Sequence, residues 1–456
     1  MFEQVRHIYF LGIGGIGMSA LARYFHSRGI RISGYDKTPS EITDELIAAG
    51  MSVHFDDDVK HIPAGIDLVV ITPAIPPDHR EWKFLREKGI PIKKRAEVLG
   101  MISRDSVCLA VAGTHGKTTT TTMLAHLLRS SGVNCTAFLG GIAANYKTNY
   151  LQGDPDIVVV EADEYDRSFL HLSPSGAILT SIDADHLDIY GHHDEVKESY
   201  KAFAGKVKQG GTLVMKAGID PGLTDSYRSL VHVRNYGIDK GANRSTNVHV
   251  KNGAFVFDYA GEKELITDLE LSVPGRHNVE NATAAITLAL EFGATAEGVK
   301  KGISDFRGVH RRFEFALRTE NHVVIDDYAH HPEELKAAIS AARELYPSKK
   351  ITGVFQPHLF SRTRDFADQF ARSLELLDTV ILLEIYPARE LPIAGISSQM
   401  LLDRISLTSK FICAREKLVS LIEQQNPEIT LIMGAGDIDR MVQPVTAALQ
   451  KKGGRS

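Results

Sequence analysis

The stretch VCLAVAGTHGKTTTTTMLAHLLRS, residues 107–130, decides the fold. An apolar run reads as a strand buried on both faces, a glycine-rich turn follows at once, and helical periodicity takes over from Thr118. A strand that feeds such a turn into a helix is a phosphate-binding unit: backbone N–H groups cradle the anion and the helix N-terminus adds partial positive charge. The turn, Gly113, Thr114, His115, Gly116, Lys117, Thr118 and Thr119, is a shortened P-loop, because Val111 stands where the full GxxxxGK[ST] pattern has its first glycine. The chemistry survives that departure. Lys117 can neutralise phosphate charge, and the Thr118 hydroxyl can hold magnesium.

Outward from this unit, strand-like runs recur: HIYFLG (7–12), IDLVVIT (66–72), DIVVVEAD (156–163), GAILTSID (176–183), HVVIDDY (322–328), ITGVFQP (351–357), TVILLEIY (379–386) and EITLIMGAG (428–436). Helical periodicity fills Met18 to Arg28, Thr118 to Ser131, Glu280 to Phe292 and Arg364 to Leu377. Alternation of this kind implies an α/β protein with parallel sheets covered by helices. At 456 residues the chain exceeds the ~250–300 that one core sustains. The charged stretches KKRAEVLGMISRD (93–105) and DFRGVHRRFE (305–314) read as separators, so three domains are expected, at 1–105, 106–318 and 319–456. Between about 210 and 274 the pattern alternates, and NVHVKNGAFVFDY folds over an Asn252-Gly253 turn, an expected antiparallel addition to the middle domain.

A net charge of -5 without a long basic run argues against a nucleic-acid partner. Three widely spaced cysteines form neither a disulfide framework nor a zinc pattern. The N-terminus has no leader pattern and no run approaches the ~20 apolar residues of a membrane span, so a cytoplasmic protein is expected.

The first strand ends in Gly12, Gly14, Gly15 and Gly17, a GxGxxG turn, with Asp36 at the spacing of a dinucleotide fingerprint. A tight packing turn and a nicotinamide site are both open readings, but a triphosphate site in the second domain leaves this turn for a different nucleotide. Two acidic clusters follow later strands: Glu161, Asp163, Glu164 and Asp166, then Asp183, Asp185, His186 and Asp188. At strand C-terminal ends beside a P-loop, they supply the hard oxygens magnesium needs.

With GIGGIGMS, AGTHGKTTTTTML, VEADEYDRSFL, DADHLDIYG, PGRHNVENATAA, GVHRRFE, IDDYAHHP, FQPHLFSRTRD and GAGDID in order, the chain resembles the Mur ligase family, most closely its alanine-adding branch. The resemblance implies a Rossmann-like UDP-sugar domain, a central ATPase domain and a C-terminal Rossmann-like amino-acid domain. It implies ATP-dependent joining of L-alanine to the lactyl carboxylate of UDP-N-acetylmuramate in peptidoglycan synthesis, by a monomer or homodimer. By motif position it assigns the GIGGIGMS residues through Met18 and Ser19, with Asp36, to the UDP-sugar. Thr118 and Glu161 go to one Mg2+, His186 to a second, and Lys117, Glu161 and His186 carry the catalysis. The P-loop, Asn278, Asn281 and Asp326 go to ATP, with Arg312 or its neighbour Arg311. Tyr328, His330, His358 and Arg362 go to the amino acid.

Two departures matter. Relatives often carry arginine after the histidine of QPH, where this chain has Leu359, so alanine's carboxylate relies more on Arg362. Ala204 stands where several Mur ligases carry a carbamoylated lysine, so none is expected. Rival readings are a recycling ligase that attaches a preformed peptide, a NAD-dependent dehydrogenase, and a non-catalytic nucleotide-binding module.

Overall fold

The computed structural model describes residues 2, 4–183, 193–262, 264–388 and 390–453. Strands β1 (His7–Leu11), β2 (Arg31–Tyr35), β3 (Ser52–His54), β4 (Leu68–Ile71) and β5 (Ile92–Lys94) form a sheet in the order β3-β2-β1-β4-β5, parallel throughout. The order reverses beside β1, which makes its C-terminal end a topological switch point, and the glycine turn sits there.

A second sheet holds β6 (Val107–Ala112), β7 (Cys135–Ala143), β8 (Thr148–Leu151), β9 (Asp154–Glu161), β10 (Gly176–Leu179), β11 (Thr212–Lys216), β12 (His232–Ile238), β13 (Asn243–Lys251), β14 (Ala254–Ala260) and β15 (Leu265–Leu271). Its order is β15-β14-β13-β12-β11-β10-β6-β9-β7-β8. β6 lies between β10 and β9 and pairs in parallel with both, Val111 opposite Glu161, so the P-loop and the first acidic cluster leave the sheet side by side.

The third sheet holds β16 (Glu314–Arg318), β17 (Val323–Asp327), β18 (Ile351–Phe355), β19 (Thr379–Leu382), β20 (Lys410–Ile412) and β21 (Ile429–Met433), in the order β16-β17-β21-β18-β19-β20. Only β16 runs antiparallel to its neighbour. Successive residues feed opposite cores: Val323 and Ile325 pack with Phe355 and Leu431, while Val324 packs with Val354 and Ile432. Burial on both faces explains the unbroken apolar runs.

By internal contacts the chain divides into two compact units. One is Met1–Thr246 with Asp258–Leu269 and Glu280–Arg307; the other is Asn247–Phe257 with Glu270–Val279 and Gly308–Ser456.

The α/β class and three sheet-bearing domains agree with the sequence reading, and several details do not. Residues 93–105, read as a charged separator, hold the helix Arg95–Arg104, which buries Val98, Leu99 and Ile102, an apolar face at helical spacing that its charges obscure. The helix expected from Arg364 to Leu377 is two, Phe360–Asp365 and Ala367–Leu374, broken where Phe366 takes φ -116° and ψ 18°. The antiparallel addition starts later than residue 210, because β11 and β12 continue the parallel run; alternation marks a strand but not the direction of its neighbour. β16 ends at residue 318 yet pairs in the third sheet, so that sheet begins before residue 319. The Asn252-Gly253 turn does join neighbouring strands, with both residues at positive φ, as two-residue hairpins favour.

Candidate active site

Gly113 leaves β6 at φ 134° with no room for a side chain: a Cβ would stand 2.0 Å from Thr180 Oγ1. Thr180 donates to the His115 carbonyl, Thr114 N–H donates to the Ser181 carbonyl at 3.2 Å, and His115 N–H donates to Ser181 Oγ at 2.9 Å. The end of β10 therefore moulds the turn. Gly116, at φ 78°, starts the helix Lys117–Ser130, and a Cβ there would stand 2.6 Å from Asn281 Oδ1. Asn281 thus lies against the phosphate turn, whereas buried Asn278 donates to the Pro274 carbonyl at 2.6 Å. Thr118 and Thr119 are nearly buried in the first helical turn.

Lys117 Nζ donates to the Gly113 carbonyl at 2.7 Å and to Glu164 Oε1 at 2.8 Å. Burial pulls its pKa down, but the carboxylates of Glu164 and Glu161 outweigh that and hold it above the usual lysine value. The ammonium stays charged. Glu161 ends β9 against Gly140 of β7, where a Cβ would stand 2.1 Å from Glu161 Oε2. Thr114 Oγ1 donates to the Asp183 carbonyl at 2.9 Å, which ties the P-loop to the start of the second acidic cluster. His186, expected at a second magnesium, lies outside the described residues.

At the switch point of the first sheet, Gly12 turns at φ 88° beneath Thr72. Asp36 accepts from Gly14 N–H at 2.7 Å and from Thr38 N–H at 3.3 Å, so this carboxylate shapes the turn itself. Met18 and Ser19 are buried in the helix Ile16–His26, and Asn149 Nδ2 donates to Ser19 Oγ at 2.8 Å. Gly15 is the N-cap residue of that helix, and its N–H donates to the Gly12 carbonyl at 3.3 Å.

In the second unit, Arg311 donates to the Gly434 carbonyl at 2.6 Å and stands 3.5 Å from Asp326 and 3.6 Å from Asp439. Arg312 has a looser partner, Glu334 at 3.9 Å, and both guanidinium groups lie 5.0 Å from the Tyr328 ring centroid. Arg311 is therefore committed to the fold, which leaves Arg312 as the better placed to meet an anion. Burial pushes Asp326 up to about 7 and Asp327 up to about 6 despite the neighbouring arginines.

Tyr328, His330 and His358 form an edge-to-face ladder with centroids 5.3 Å and then 6.0 Å apart, and Tyr386 stacks on His358 at 5.7 Å. Arg362 Nη1 lies 3.5 Å from His358 Nδ1, so the structure brings all four expected amino-acid residues together. Leu359 between them takes φ 70°, a strained conformation for a branched residue, fixed by its N–H donating to the Tyr386 carbonyl at 3.0 Å. His331 instead caps the helix Pro332–Leu345.

Sequence reading overlooked Gly140, Thr180, Tyr386 and Arg95, and left Glu164 without a role. Glu164 alone carried a signal, as part of the acidic run beside Glu161.

Comparison with known proteins decides the family. Residues 7–106 match the family model described as Mur ligase family, catalytic domain; residues 111–289 match the Mur ligase middle domain, and residues 311–436 the Mur ligase, glutamate ligase domain. The UDP-N-acetylmuramate--L-alanine ligase of Flavobacterium psychrophilum is 47% identical over 99% of each chain. This chain belongs to the Mur ligase family. Another Mur ligase relative, the UDP-N-acetylmuramate--L-alanine ligase of Porphyromonas gingivalis, is 49% identical over 98% of this chain and 99% of its own. Among solved Mur ligases, the UDP-N-acetylmuramate-alanine ligase of Thermotoga maritima superposes with a TM-score of 0.81 at 30% identity, over 98% of this chain and 99% of its own. A murein peptide ligase of Psychrobacter arcticus shares the fold, with a TM-score of 0.73 at 23% identity over 97% and 98% of the two chains.

Proposed function

We propose that this Mur ligase joins L-alanine to the lactyl carboxylate of UDP-N-acetylmuramate, with conversion of ATP to ADP and phosphate, in peptidoglycan synthesis. Identity of 47% and 49% along the full length to ligases of that name carries the reading. A charged Lys117 set among carboxylates in the P-loop is the arrangement such a reaction requires.

A free carboxylate is a poor electrophile. Transfer of the γ-phosphoryl group from ATP to a carboxylate oxygen makes an acyl phosphate and releases ADP. The amine of alanine adds to the acyl carbon, and the tetrahedral intermediate expels phosphate as the nitrogen loses a proton. Lys117 and the turn's N–H groups offset negative charge in the phosphoryl transfer. Magnesium needs only one or two protein oxygens when phosphates and water complete its shell, and the Thr118 hydroxyl and Glu161 are donors of that type. When bound, magnesium neutralises phosphate charge.

The glycine turn serves the sugar nucleotide, and Tyr328, His330, His358 and Arg362 serve alanine, whose carboxylate suits a paired guanidinium. We parse the domains as 1–105, 106–318 and 319–456, with β16 lying before the last division although it pairs with β17 after it. No helix among the described residues is long and apolar enough to cross a membrane, and we place the enzyme in the cytoplasm as a monomer or homodimer.

The test is phosphate release from Mg-ATP with UDP-N-acetylmuramate and, in turn, L-alanine, glycine, L-serine and an L-Ala-D-Glu-diaminopimelate tripeptide. Fastest release with L-alanine is expected. Preference for the tripeptide would move the chain to the recycling branch, and no release with any acceptor would end the ligase reading.

A further inference from the structure

The last glycine of a nucleotide-binding turn is ordinarily small so that helix and strand can pack closely. At Gly17 the reason is different. A Cβ there would stand 2.9 Å from Arg95 Nη1, 3.1 Å from its Cδ and 3.3 Å from its Cζ. The position is bare to admit a guanidinium.

Arg95 begins the helix Arg95–Arg104, and its Nη2 donates to Asp163 Oδ2 at 3.2 Å. Asp163 is itself oriented, because its Oδ1 accepts from Tyr165 N–H at 3.0 Å. Lys94 repeats the link one residue earlier, with Nζ 3.0 Å from Asp166 Oδ2. The guanidinium therefore lies between the start of the helix Ile16–His26 and the acidic turn that follows β9.

A structural ion pair explains this poorly. The Arg95 and Asp163 side chains are 22% and 38% exposed, and pairs so exposed add little stability. The helix start beside Arg95 has no side-chain cap and no acidic residue in its first turn. Asp36 is occupied by Gly14 and Thr38. Helix N–H groups and a guanidinium thus converge, a combination suited to a doubly charged anion.

We propose that Arg95 binds the diphosphate of the sugar nucleotide, with Asp163 setting the plane of its guanidinium. The proposal rests on the sugar-nucleotide reading above. It also gives the acidic turn that follows Glu161 a direct link to the occupant of the glycine turn.

The experiment is calorimetric titration of wild type, Arg95→Met and Arg95→Lys with UDP-N-acetylmuramate, UDP-N-acetylglucosamine and a non-hydrolysable ATP analogue with magnesium. Arg95→Met should bind both sugar nucleotides about ten- to a hundredfold more weakly, the range for truncating a charged hydrogen bond, with Arg95→Lys in between and ATP-analogue affinity unchanged. Unaltered sugar-nucleotide binding by Arg95→Met would overturn the proposal. A loss confined to UDP-N-acetylmuramate would overturn it too, because it would assign Arg95 to the lactyl carboxylate. Equal loss for the ATP analogue would reduce Arg95 to a structural part. Absence of sugar-nucleotide binding by the wild type would instead strike the functional reading itself.

Discussion

Glu81 is fully buried, and Tyr9 O–H donates to its Oε2 at 2.5 Å while His54 Nε2 stands 3.4 Å from its Oε1. Burial pushes this carboxyl from its usual 4.5 up to about 7, against the pull of the Tyr9 hydrogen bond. Between those values the folded chain keeps a proton that the unfolded chain releases. The contribution of Glu81 to stability is therefore full below pH 4.5 and is lost as pH rises through 7. Glu81→Gln keeps an acceptor for Tyr9 and removes the ionisation. In urea titrations it should be more stable than wild type at pH 8.5, by up to about 3 kcal/mol, and equal to it at pH 4. The same gain at both pH values would mean that packing, not the proton, is responsible.

At the scale of elements, the site depends on three strand ends held in register. β6 delivers the P-loop, β9 delivers Glu161 beside it, and β7 supplies Gly140 as the surface on which Glu161 rests. The atoms nearest a Cβ at Gly140 are those of the Glu161 carboxylate, the end of a flexible side chain, so Gly140→Ala should displace Glu161 and leave the sheet intact. We expect a thermal midpoint close to wild type, a higher magnesium requirement and a turnover lowered by about a hundredfold, the scale of an ångström misplacement in a catalytic array. A variant with lowered stability and normal magnesium dependence would show that Gly140 serves packing alone.

At the scale of the whole molecule, the glycine turn and the P-loop belong to different sheets, so each ligand should stabilise the fold by its own mass action. UDP-N-acetylmuramate and a magnesium-bound ATP analogue should each raise the thermal midpoint separately, with about 2.7 kcal/mol of added stability at a hundredfold excess over the dissociation constant. A shift with the analogue and none with the sugar nucleotide would remove the first domain from substrate binding. NAD should give no shift; a shift with it would revive the dehydrogenase reading.

Strand–turn–helix alternation, the phosphate turn and the carboxylates after β9 were legible because they are local: each needs a fixed order of residue types along a few consecutive positions. Membership of the Mur ligases followed from the same short motifs. Which of Arg311 and Arg312 is committed to the fold was not legible, because the answer lies in Gly434 and Asp439, more than a hundred residues onward. Tyr386 against His358, Gly140 beneath Glu161 and Gly17 beneath Arg95 likewise acquire meaning only from residues distant in sequence. Residues 93–105 read as a charged separator because Lys93, Lys94, Arg95, Glu97, Arg104 and Asp105 frame a short apolar segment, and whether such a segment is a buried helix depends on the surface it covers. Residue type and local order name the cations, carboxylates and backbone turns on offer. Which of them converge is left to the fold, since convergence depends on sheet order, strand register and burial, which no local pattern encodes.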